Sequence, residues 1–465
     1  MTLIKSISGI RGTIGGKPGD NLTPLDVIKF TAAYGTWIKA HKAGKKWKVI
    51  VGRDARISGE MVNQLVNGTL IGLGINVINL GHASTPTVEI AVTEHNADGG
   101  LILTASHNPA NWNALKLLNQ SGEFLTDSDG QEILKLAEKG VFEFCSVEEL
   151  GVMTTDTSMN ELHISKILNH PLVDVDAIKA AEFKVAIDCV NSVGGIILPA
   201  LLHRLGVNEV MELYCTANGH FPHHPEPLPE NLKDISELVD ESDAHLGFVV
   251  DPDVDRLAII CEDGSMFGEE YTLVAVADYI LQHKKGNTVS NLSSTRALRD
   301  ITEKHGGKYF ASAVGEVNVV RLMKQQNAVI GGEGNGGVIF PDLHYGRDAL
   351  VGIALFLTLL AKSGYSCSQL RASYPDYFIS KNKIQLTPGV NVDKILVAIK
   401  DKFKNNPVND IDGVRIDFEK EKEWVHLRKS NTEPIIRIYA ESSSAEKANA
   451  LAESIMMEIK RLGHF

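Results

Sequence analysis

A serine in a polar turn directly after an apolar run is the first feature of this chain that could do chemistry. Residues 99–103 predict a strand, and the segment 104–109 that follows contains Ser106 and His107. Open α/β sheets place their chemistry at the carboxyl ends of strands. A serine hydroxyl exposed there can act as a nucleophile or carry a phosphoryl group. A serine that only forms the turn is the alternative interpretation.

Three aspartates alternate along a short segment between two apolar runs. Asp251, Asp253 and Asp255 stand two residues apart, so in an extended chain their side chains point the same way. Carboxylates this close repel one another unless a cation lies between them, and hard oxygen ligands favour Mg²⁺ or Ca²⁺. The segment is not an EF-hand, because its sixth position is Arg256 rather than glycine. A solvated acidic turn is the alternative interpretation.

A glycine-rich loop follows a third apolar run. Residues 331–337 have the sequence Gly-Gly-Glu-Gly-Asn-Gly-Gly. Glycines let a ligand approach the backbone closely, and Glu333 and Asn335 could hydrogen-bond the hydroxyl groups of a polyol. A flexible hairpin is the alternative interpretation.

A basic loop near the C-terminus joins two strand-like runs. Its side chains form a dense set of phosphate donors, and a polar loop between strands is the alternative interpretation. Together the four segments offer a phosphate carrier, metal ligands, a hydroxyl-binding loop and a phosphate-binding loop, the set that phosphoryl transfer on a sugar uses. The donors of the basic loop are Arg428, Ser430, Asn431, Thr432 and Arg437.

The segments that must position these residues alternate between short apolar runs and amphipathic stretches. The strand, helix and strand pattern over residues 48–80 predicts a mostly parallel sheet. Runs at 183–188 and 287–292, each followed by a polar turn and a helix, repeat this unit faintly. Residues 376–462 differ, because they predict antiparallel strands closed by a helix.

The sequence therefore predicts an α/β fold of four domains, three related mixed α/β units and a C-terminal antiparallel α+β domain. Each predicted domain contains one of the four loops. The domains are residues 1–155 with the serine turn, 156–260 with the aspartates, 261–373 with the glycine-rich loop and 374–465 with the basic loop.

Composition and charge limit the partners of the chain. A net charge of −12 over 465 residues argues against nucleic acid or an anionic membrane as a partner. An anionic substrate would need basic residues gathered locally. The cations that could line such a site are Arg11, Arg53, Arg56, Lys116, Arg256, Arg296, Arg428 and Arg437.

The predicted location is the cytoplasm. Five scattered cysteines without a Cys-x-x-Cys pair favour free thiols in a reducing compartment. The first residues lack the apolar core of a signal peptide, and the longest apolar stretch, residues 350–361, is too short to span a bilayer.

The order of these motifs over nearly the whole chain resembles the α-D-phosphohexomutase family. The resemblance implies four domains and the interconversion of hexose 6-phosphates and 1-phosphates. It implies a phosphoserine enzyme, a 1,6-bisphosphate intermediate that would also act as an activator, and Mg²⁺ as cofactor. A hexose phosphate would be the partner, and the chain would be a monomer or a homodimer.

The resemblance also implies roles for single residues. Ser106 would carry the phosphoryl group, and an oxygen of the phosphoserine would complete the Mg²⁺ site on the three aspartates. The segment 8–12 resembles the family's opening motif and would place Arg11 on substrate or phosphoserine. Lys116 would be a general acid or base, with His107 as a further catalytic residue. The implied substrate-binding residues are Arg256, Glu333, Asn335, Arg428, Ser430, Asn431, Thr432 and Arg437.

Two positions of the glycine-rich loop depart from the family pattern. The family's sugar-binding loop commonly has Gly-Glu-x-Ser-Gly-His, whereas this chain has Asn335 for the serine and Gly337 for the histidine. No role of that histidine can be transferred. The expected substrate is a glucosamine phosphate, with glucose and mannose phosphates as alternatives. A metal-dependent sugar-phosphate phosphatase is the alternative from another class.

Overall fold

The computed structural model describes residues 2–6, 9–42, 44, 46–386, 391–429 and 435–463. The chain forms two units. The first contains residues 1–272 and 335–369, and the second contains residues 273–334 and 370–465. No helix among the described residues combines the length and the apolar character that crossing a membrane requires.

A seven-stranded sheet forms the N-terminal part of the first unit. Its strand β3 (Trp47–Arg53) pairs in parallel with β4 (Ile75–His82) and β5 (Gly99–Leu103), as the sequence pattern predicts. Strand β6 (Trp112–Leu118) joins β5 in antiparallel orientation, so the turn between them carries Ser106. The other strands are β1 (Ile4–Ser6), β2 (Gly9–Thr13) and β7 (Met153–Thr155), in the order β1-β2-β6-β5-β3-β4-β7, with helices α1 (Pro24–His41), α2 (Gly59–Gly72), α3 (Thr85–Glu94) and α4 (Asp127–Lys139).

A four-stranded sheet follows in the same unit. Strand β8 (Lys184–Asp188) pairs in parallel with β9 (Glu209–Leu213) and β10 (Leu246–Val250), and β10 pairs with β11 (Leu257–Cys261) in antiparallel orientation. The connection from β10 to β11 carries the three aspartates. The helices of this part are α5 (Met159–Leu168), α6 (Val175–Ala180), α7 (Gly194–Arg204) and α8 (Lys233–Asp240).

The first unit also contains a buried helix from the C-terminal side of the glycine-rich loop. A short strand, β15 (Gly337–Ile339), leads into α12 (Ala349–Ser363), whose residues 349–360 are all buried. The carboxylate of Asp348 caps the helix by accepting the N–H groups of Leu350 and Val351. A helix that is apolar all round is stable only inside a protein, which explains the long apolar run in the sequence.

The second unit contains a parallel and an antiparallel sheet. Strand β12 (Asn287–Asn291) pairs in parallel with β13 (Tyr309–Ser312) and β14 (Ala328–Glu333). The antiparallel sheet has the order β16-β20-β19-β18-β17. Its strands are β16 (Phe378–Gln385), β17 (Val408–Asn409), β18 (Val414–Phe418), β19 (Glu423–Lys429) and β20 (Ile435–Ser442), and the remaining helices of the chain are α9 (Glu269–His283), α10 (Ala297–Lys304), α11 (Glu316–Gln326), α13 (Cys367–Ala372), α14 (Val392–Lys402) and α15 (Ala445–Gly463).

The predicted fold class is confirmed, because mixed α/β sheets precede a C-terminal antiparallel sheet. The domain boundaries at residues 155, 260 and 373 stay a prediction.

A buried arginine holds the turn that carries Ser106. The guanidinium of Arg56 pairs with Asp54 at 3.0 Å, and both side chains are fully buried. Asp54 also accepts a hydrogen bond from the hydroxyl of Thr104 at 2.6 Å. Arg56 therefore supports the turn, whereas we had expected it to line a phosphate site. Its other hydrogen bonds go to the backbone carbonyls of Ser106, Asn108, Pro109 and Trp112.

Replacing Arg56 should destabilise the fold strongly. Arg56→Met leaves the carboxylate of Asp54 buried without its cation, and breaking a buried pair typically costs about 3–5 kcal/mol. Urea unfolding should show this loss. Arg204→Met is the matched control, because it removes a half-exposed ion pair with Glu161 and should cost less than about 1 kcal/mol. Equal losses in the two variants would contradict the scaffold role of Arg56.

Candidate active site

Ser106 points its hydroxyl at the aspartates of the neighbouring sheet. Its Oγ donates a hydrogen bond to Oδ2 of Asp251 at 2.7 Å, and its N–H donates to Oγ1 of Thr104 at 3.0 Å. The φ angle of Ser106 is 48°, a left-handed conformation that costs free energy in a residue with a side chain. The hydrogen bonds to Thr104 and from Arg56 hold this turn in its strained form.

The three aspartates converge as the alternation predicts. All three side chains are fully buried, and one carboxylate oxygen from each lies within 4.8 Å of the others. Burial, followed by repulsion from Asp255 and Asp253, raises the pKa of Asp251. Oδ1 of Asp253 and Oδ1 of Asp255 are buried without a hydrogen-bond partner among the described residues.

Strain in the connecting loop accompanies this convergence. Val254, between two of the aspartates, has a φ of 62°, which is rare for a β-branched residue. Oδ1 of Asp251 accepts the N–H groups of Asp255 and Arg256, which closes the loop on itself. The unpartnered carboxylate oxygens and the hydroxyl of Ser106 form a set of hard oxygen donors that fits Mg²⁺.

Two cations partly neutralise the aspartates. Nζ of Lys116 lies 2.6 Å from Oδ2 of Asp253 and 3.5 Å from Oδ2 of Asp255. Burial would lower the pKa of Lys116, but the two carboxylates outweigh it and raise the pKa above its usual value. Nη2 of Arg347 donates to Oδ2 of Asp255 at 2.7 Å.

The surroundings of Ser106 are positively charged although the chain as a whole is acidic. Nε of Arg11 and Nε of Arg256 are buried without a hydrogen-bond partner among the described residues. Burial, and then the charge of Arg256, lowers the pKa of Arg11. Glu226 offsets part of this charge, with Oε1 3.3 Å from Nη1 of Arg256. Such a field suits a bound anion.

His107 lies in the same positively charged surroundings. Its Nδ1 lies 3.4 Å from Oγ of Ser106. Burial, followed by the charges of Arg256 and Arg11, lowers the pKa of His107 to about 2. The imidazole is therefore neutral at physiological pH and only weakly basic.

Sequence reasoning missed two residues that contact the aspartates. Thr85, at the start of α3, donates its hydroxyl to Oδ2 of Asp253 and its N–H to the carbonyl of Asp253. Arg347, just before α12, contacts Asp255 as described above. Neither stands in a local pattern with the aspartates, and only the packing of α3 and α12 brings them there.

Arg347 also explains the glycine at position 337. A Cβ atom on Gly337 would lie 2.4 Å from Cδ of Arg347, far closer than two carbon atoms can approach. The side chain of Arg347 thus occupies the space that the family's histidine would need. Oδ1 of Asn335 accepts the N–H of Gly337 at 3.2 Å, so Asn335 shapes its own loop.

Glu333 and the basic loop belong to the second unit. Oε1 of Glu333 accepts hydrogen bonds from Nδ2 of Asn291 at 2.9 Å and from the N–H of Gly315 at 3.1 Å, which fix the buried carboxylate. Arg428 and Arg437 are register partners on β19 and β20, so their side chains leave the same face of the sheet. Ser430, Asn431 and Thr432 lie outside the described residues.

Asp412 partly neutralises this pair of arginines. Its Oδ2 lies 2.9 Å from Nε of Arg428. Several of the described candidate residues lie together within one unit: Ser106, His107, Lys116, Arg11, Arg256 and the aspartates in the first unit, and Arg428 with Arg437 in the second. Glu333 and Asn335 have separate contacts, described above.

Comparison with known proteins identifies the family. Models of the phosphoglucomutase/phosphomannomutase family match four successive parts of the chain: the α/β/α domain I at residues 3–143, domain II at 161–264, domain III at 268–377 and the C-terminal domain at 388–458. The resemblance found in the motifs is thereby confirmed.

Individual relatives agree with this assignment. A phosphoglucomutase/phosphomannomutase of Thermococcus kodakarensis is 36% identical over 446 residues, covering 95% of this chain and 96% of the relative. A phosphoglucosamine/phosphogalactosamine mutase of Sulfurisphaera tokodaii is 33% identical over 467 residues, covering 96% and 97%. The crystal structure of a phosphoglucomutase/phosphomannomutase family protein from Burkholderia thailandensis has a TM-score of 0.85 and 26% identity, covering 99% of this chain and 98% of that one. The chain therefore belongs to the phosphoglucomutase/phosphomannomutase family, the α-D-phosphohexomutases, and is an isomerase that transfers phosphate within a sugar.

Proposed function

We propose that the chain interconverts the 6-phosphate and the 1-phosphate of a hexose by passing a phosphoryl group through Ser106, and that glucosamine phosphate is its preferred substrate. The observation that carries the proposal is the strained Ser106, whose hydroxyl lies 2.7 Å from a buried carboxylate of the aspartate trio. The Nε atoms of Arg11 and Arg256, which have no hydrogen-bond partner among the described residues, support it, because a phosphoserine would supply acceptor oxygens for them.

The aspartates would hold Mg²⁺ together with an oxygen of the phosphoserine. The cation would supply positive charge beside the transferring phosphoryl group. Lys116 and Arg347 already compensate part of the charge of Asp253 and Asp255. These two residues keep the carboxylates in place and oriented.

The phosphoryl transfer is accompanied by a proton transfer at each of the two oxygens. The bond between Oγ of Ser106 and phosphorus breaks while a bond from the sugar hydroxyl oxygen to phosphorus forms, so Ser106 gains a proton and the sugar hydroxyl loses one. Lys116 is the candidate for proton donor: Asp253 and Asp255 raise its pKa and keep it protonated, so it would release a proton more readily once a bound cation weakens its pairing with these carboxylates. His107, 3.4 Å from Oγ, is neutral and only weakly basic, so its candidate role is a hydrogen bond to Oγ of Ser106.

The same chemistry then runs in reverse on the other end of the sugar. The hexose 1,6-bisphosphate must turn around so that its second phosphate returns to Ser106. The distal phosphate-binding group must therefore accept either phosphate, which suits the paired Arg428 and Arg437 together with Ser430, Asn431 and Thr432. We assign Glu333 to the sugar hydroxyls, because its carboxylate is held by Asn291 and Gly315.

The names of the relatives support two classes of sugar, amino sugars and neutral hexoses. The Sulfurisphaera tokodaii relative is named for glucosamine and galactosamine phosphates, whereas the Thermococcus kodakarensis relative is named for glucose and mannose phosphates. Glucose or mannose phosphate is therefore the second candidate substrate.

The choice of sugar is tested by a side-by-side assay. We expect kcat/KM for glucosamine 1-phosphate to exceed the values for glucose 1-phosphate and mannose 1-phosphate by about tenfold or more, which equals about 1.4 kcal/mol of transition-state binding. Each assay contains Mg²⁺ and the matching 1,6-bisphosphate. A reversed order would favour the second candidate, and release of inorganic phosphate in proportion to substrate would indicate a phosphatase.

Ser106 should carry phosphate and be essential. Intact mass and peptide mapping should find about 80 Da, one added phosphate, on the peptide that contains Ser106. Ser106→Ala should lose nearly all turnover, because the phosphoryl group then has no carrier. Ser121→Ala changes a serine in an exposed turn and should keep full activity. Normal turnover by Ser106→Ala would end the mutase proposal.

Arg347 should be coupled to position 337. Gly337→Ala forces a Cβ atom against Cδ of Arg347, and overpacking of this kind typically costs about 1–3 kcal/mol. In an Arg347→Ala background the same substitution should cost much less, as urea unfolding of the four proteins would show. Additive losses would contradict the packing argument.

Arg347 should also affect turnover by positioning Asp255. Removing a hydrogen bond to a charged group costs about 1.5–3 kcal/mol, so Arg347→Gln should lower kcat roughly ten- to hundredfold. The KM for the sugar phosphate should change less, because the contact of Arg347 is with Asp255. An unchanged kcat would remove Arg347 from the catalytic arrangement.

A further inference from the structure

A second group of metal-ligating side chains lies in the first unit, apart from the aspartate trio. It consists of His163 on α5, His344 in the loop before α12, and Asp348, which caps α12. Nε2 of His163 lies 2.9 Å from Oδ2 of Asp348, and Nε2 of His344 lies 3.3 Å from the same oxygen. The three ligand atoms all lie within 4.8 Å of one another.

The outer ring nitrogens of both histidines lie beside polar side chains, as those of metal ligands usually do, although Nδ1 of His344 makes no hydrogen bond of good geometry among the described residues. Nδ1 of His163 lies 3.0 Å from Oγ1 of Thr87, and Nδ1 of His344 lies 3.2 Å from Oε2 of Glu89. Histidine ligands generally pair their second nitrogen with a carboxylate or another polar group, which fixes the ring and its tautomer. Here both rings are fixed with Nε2 directed at one carboxylate oxygen.

Two buried carboxylates give this part of the protein a negative charge. Glu89 and Asp348 are buried, with side chains that are 1% and 0% exposed. Oδ1 of Asp348 accepts the N–H groups of Leu350 and Val351, so Oδ2 is the oxygen that faces the histidines. One divalent cation would balance the charge of these two buried carboxylates.

We propose that His163, His344 and Asp348 form a second metal site, for a divalent transition metal of the zinc type. Two imidazole nitrogens and one carboxylate oxygen suit Zn²⁺, Co²⁺ or Fe²⁺, whereas Mg²⁺ prefers oxygen ligands alone. Ligands about 2.0–2.1 Å from a shared tetrahedral ion lie about 3.3–3.4 Å apart, so the 3.3 Å spacing fits such an ion and the 2.9 Å spacing would lengthen by about 0.4 Å. Three protein ligands leave one coordination position for water. Of the three side chains, His344 is 11% exposed, whereas His163 and Asp348 are fully buried.

A metal at this site would brace the loop of the aspartate trio. The ligands join α5 to the start of α12, and Thr87 and Glu89 join them to α3. The start of α3 contacts Asp253 through Thr85, and the N–H of Ala349 at the start of α12 donates to the carbonyl of Val254 at 3.2 Å. We therefore assign the ion a bracing role, separate from the phosphoryl transfer at Ser106.

The alternative to a bound metal is a protonated His344. Burial by itself would lower the pKa of His344, but hydrogen bonds to Asp348 and Glu89 outweigh it and raise the pKa to about 10. A protonated His344 could then bridge the two carboxylates without any metal. The two alternatives are distinguished by whether the folded protein binds a transition metal through its imidazole nitrogens.

The test is a Co²⁺ titration of the metal-stripped full chain in excess Mg²⁺, so that Mg²⁺ competes for the aspartate trio. Visible absorption should report one Co²⁺ per chain with nitrogen ligands. His344→Gln and His163→Gln should each weaken binding by about 100-fold or more, since even the loss of an outer partner of a ligand costs 10–100-fold. Thr87→Val removes the outer hydrogen-bond partner of His163 and should therefore weaken Co²⁺ binding by about tenfold or more.

Two control variants separate this site from other sources of binding. His95→Gln removes a histidine that pairs with Asp156 at 2.8 Å, without belonging to the metal-ligating group, and should bind Co²⁺ normally. Asp251→Asn alters the proposed Mg²⁺ site and should also bind Co²⁺ normally, so this test can fail without affecting the mutase proposal.

Thermal unfolding is a second measurement, for the case that the histidine variants fold poorly. Zn²⁺ should raise the melting temperature of the wild type and of His95→Gln, as any ligand of the native state does. Absence of Co²⁺ binding by the folded wild type, or binding that is indifferent to His163 and His344, would overturn the proposal and leave protons as the occupant.

Discussion

The burial of three like-charged carboxylates is the constraint on which the rest of the first unit depends. Asp251, Asp253 and Asp255 are fully buried, and charges removed from water are costly unless they are paired. Their partners among the described residues come from separate parts of the chain: Ser106 after β5, Lys116 on β6, Thr85 at the start of α3 and Arg347 before α12. The tertiary structure must therefore be complete before these charges are compensated.

The same constraint explains where backbone strain is concentrated. Ser106 and Val254 both have positive φ angles, and both stand at the junction between the serine turn and the aspartate loop. Such conformations persist only where surrounding contacts over-determine them. Arg56 supplies those contacts on the serine side, whereas the starts of α3 and α12 supply them on the aspartate side.

Sequence reasoning succeeded where the chemistry is local. The alternation of the aspartates and the serine at a strand end are patterns of a few residues, and the structure places both as expected within the first unit. It failed for Arg56, which binds backbone carbonyls, and it missed Thr85 and Arg347. The contacts of these residues join positions about 50 to 170 apart, so no local pattern could indicate them.

The pair formed by Gly337 and Arg347 shows what a motif comparison can and cannot transfer. The glycine alone indicates only that a histidine is missing. The structure adds that Arg347, from ten residues further along, fills the space beside it and places a permanent positive charge on Asp255. An arginine cannot exchange protons as a histidine does, so Arg347 supplies a permanent cation at this place and no acid or base. In the proposed cycle, proton transfer is therefore assigned to the serine side of the site, where Nζ of Lys116 lies 2.6 Å from Asp253.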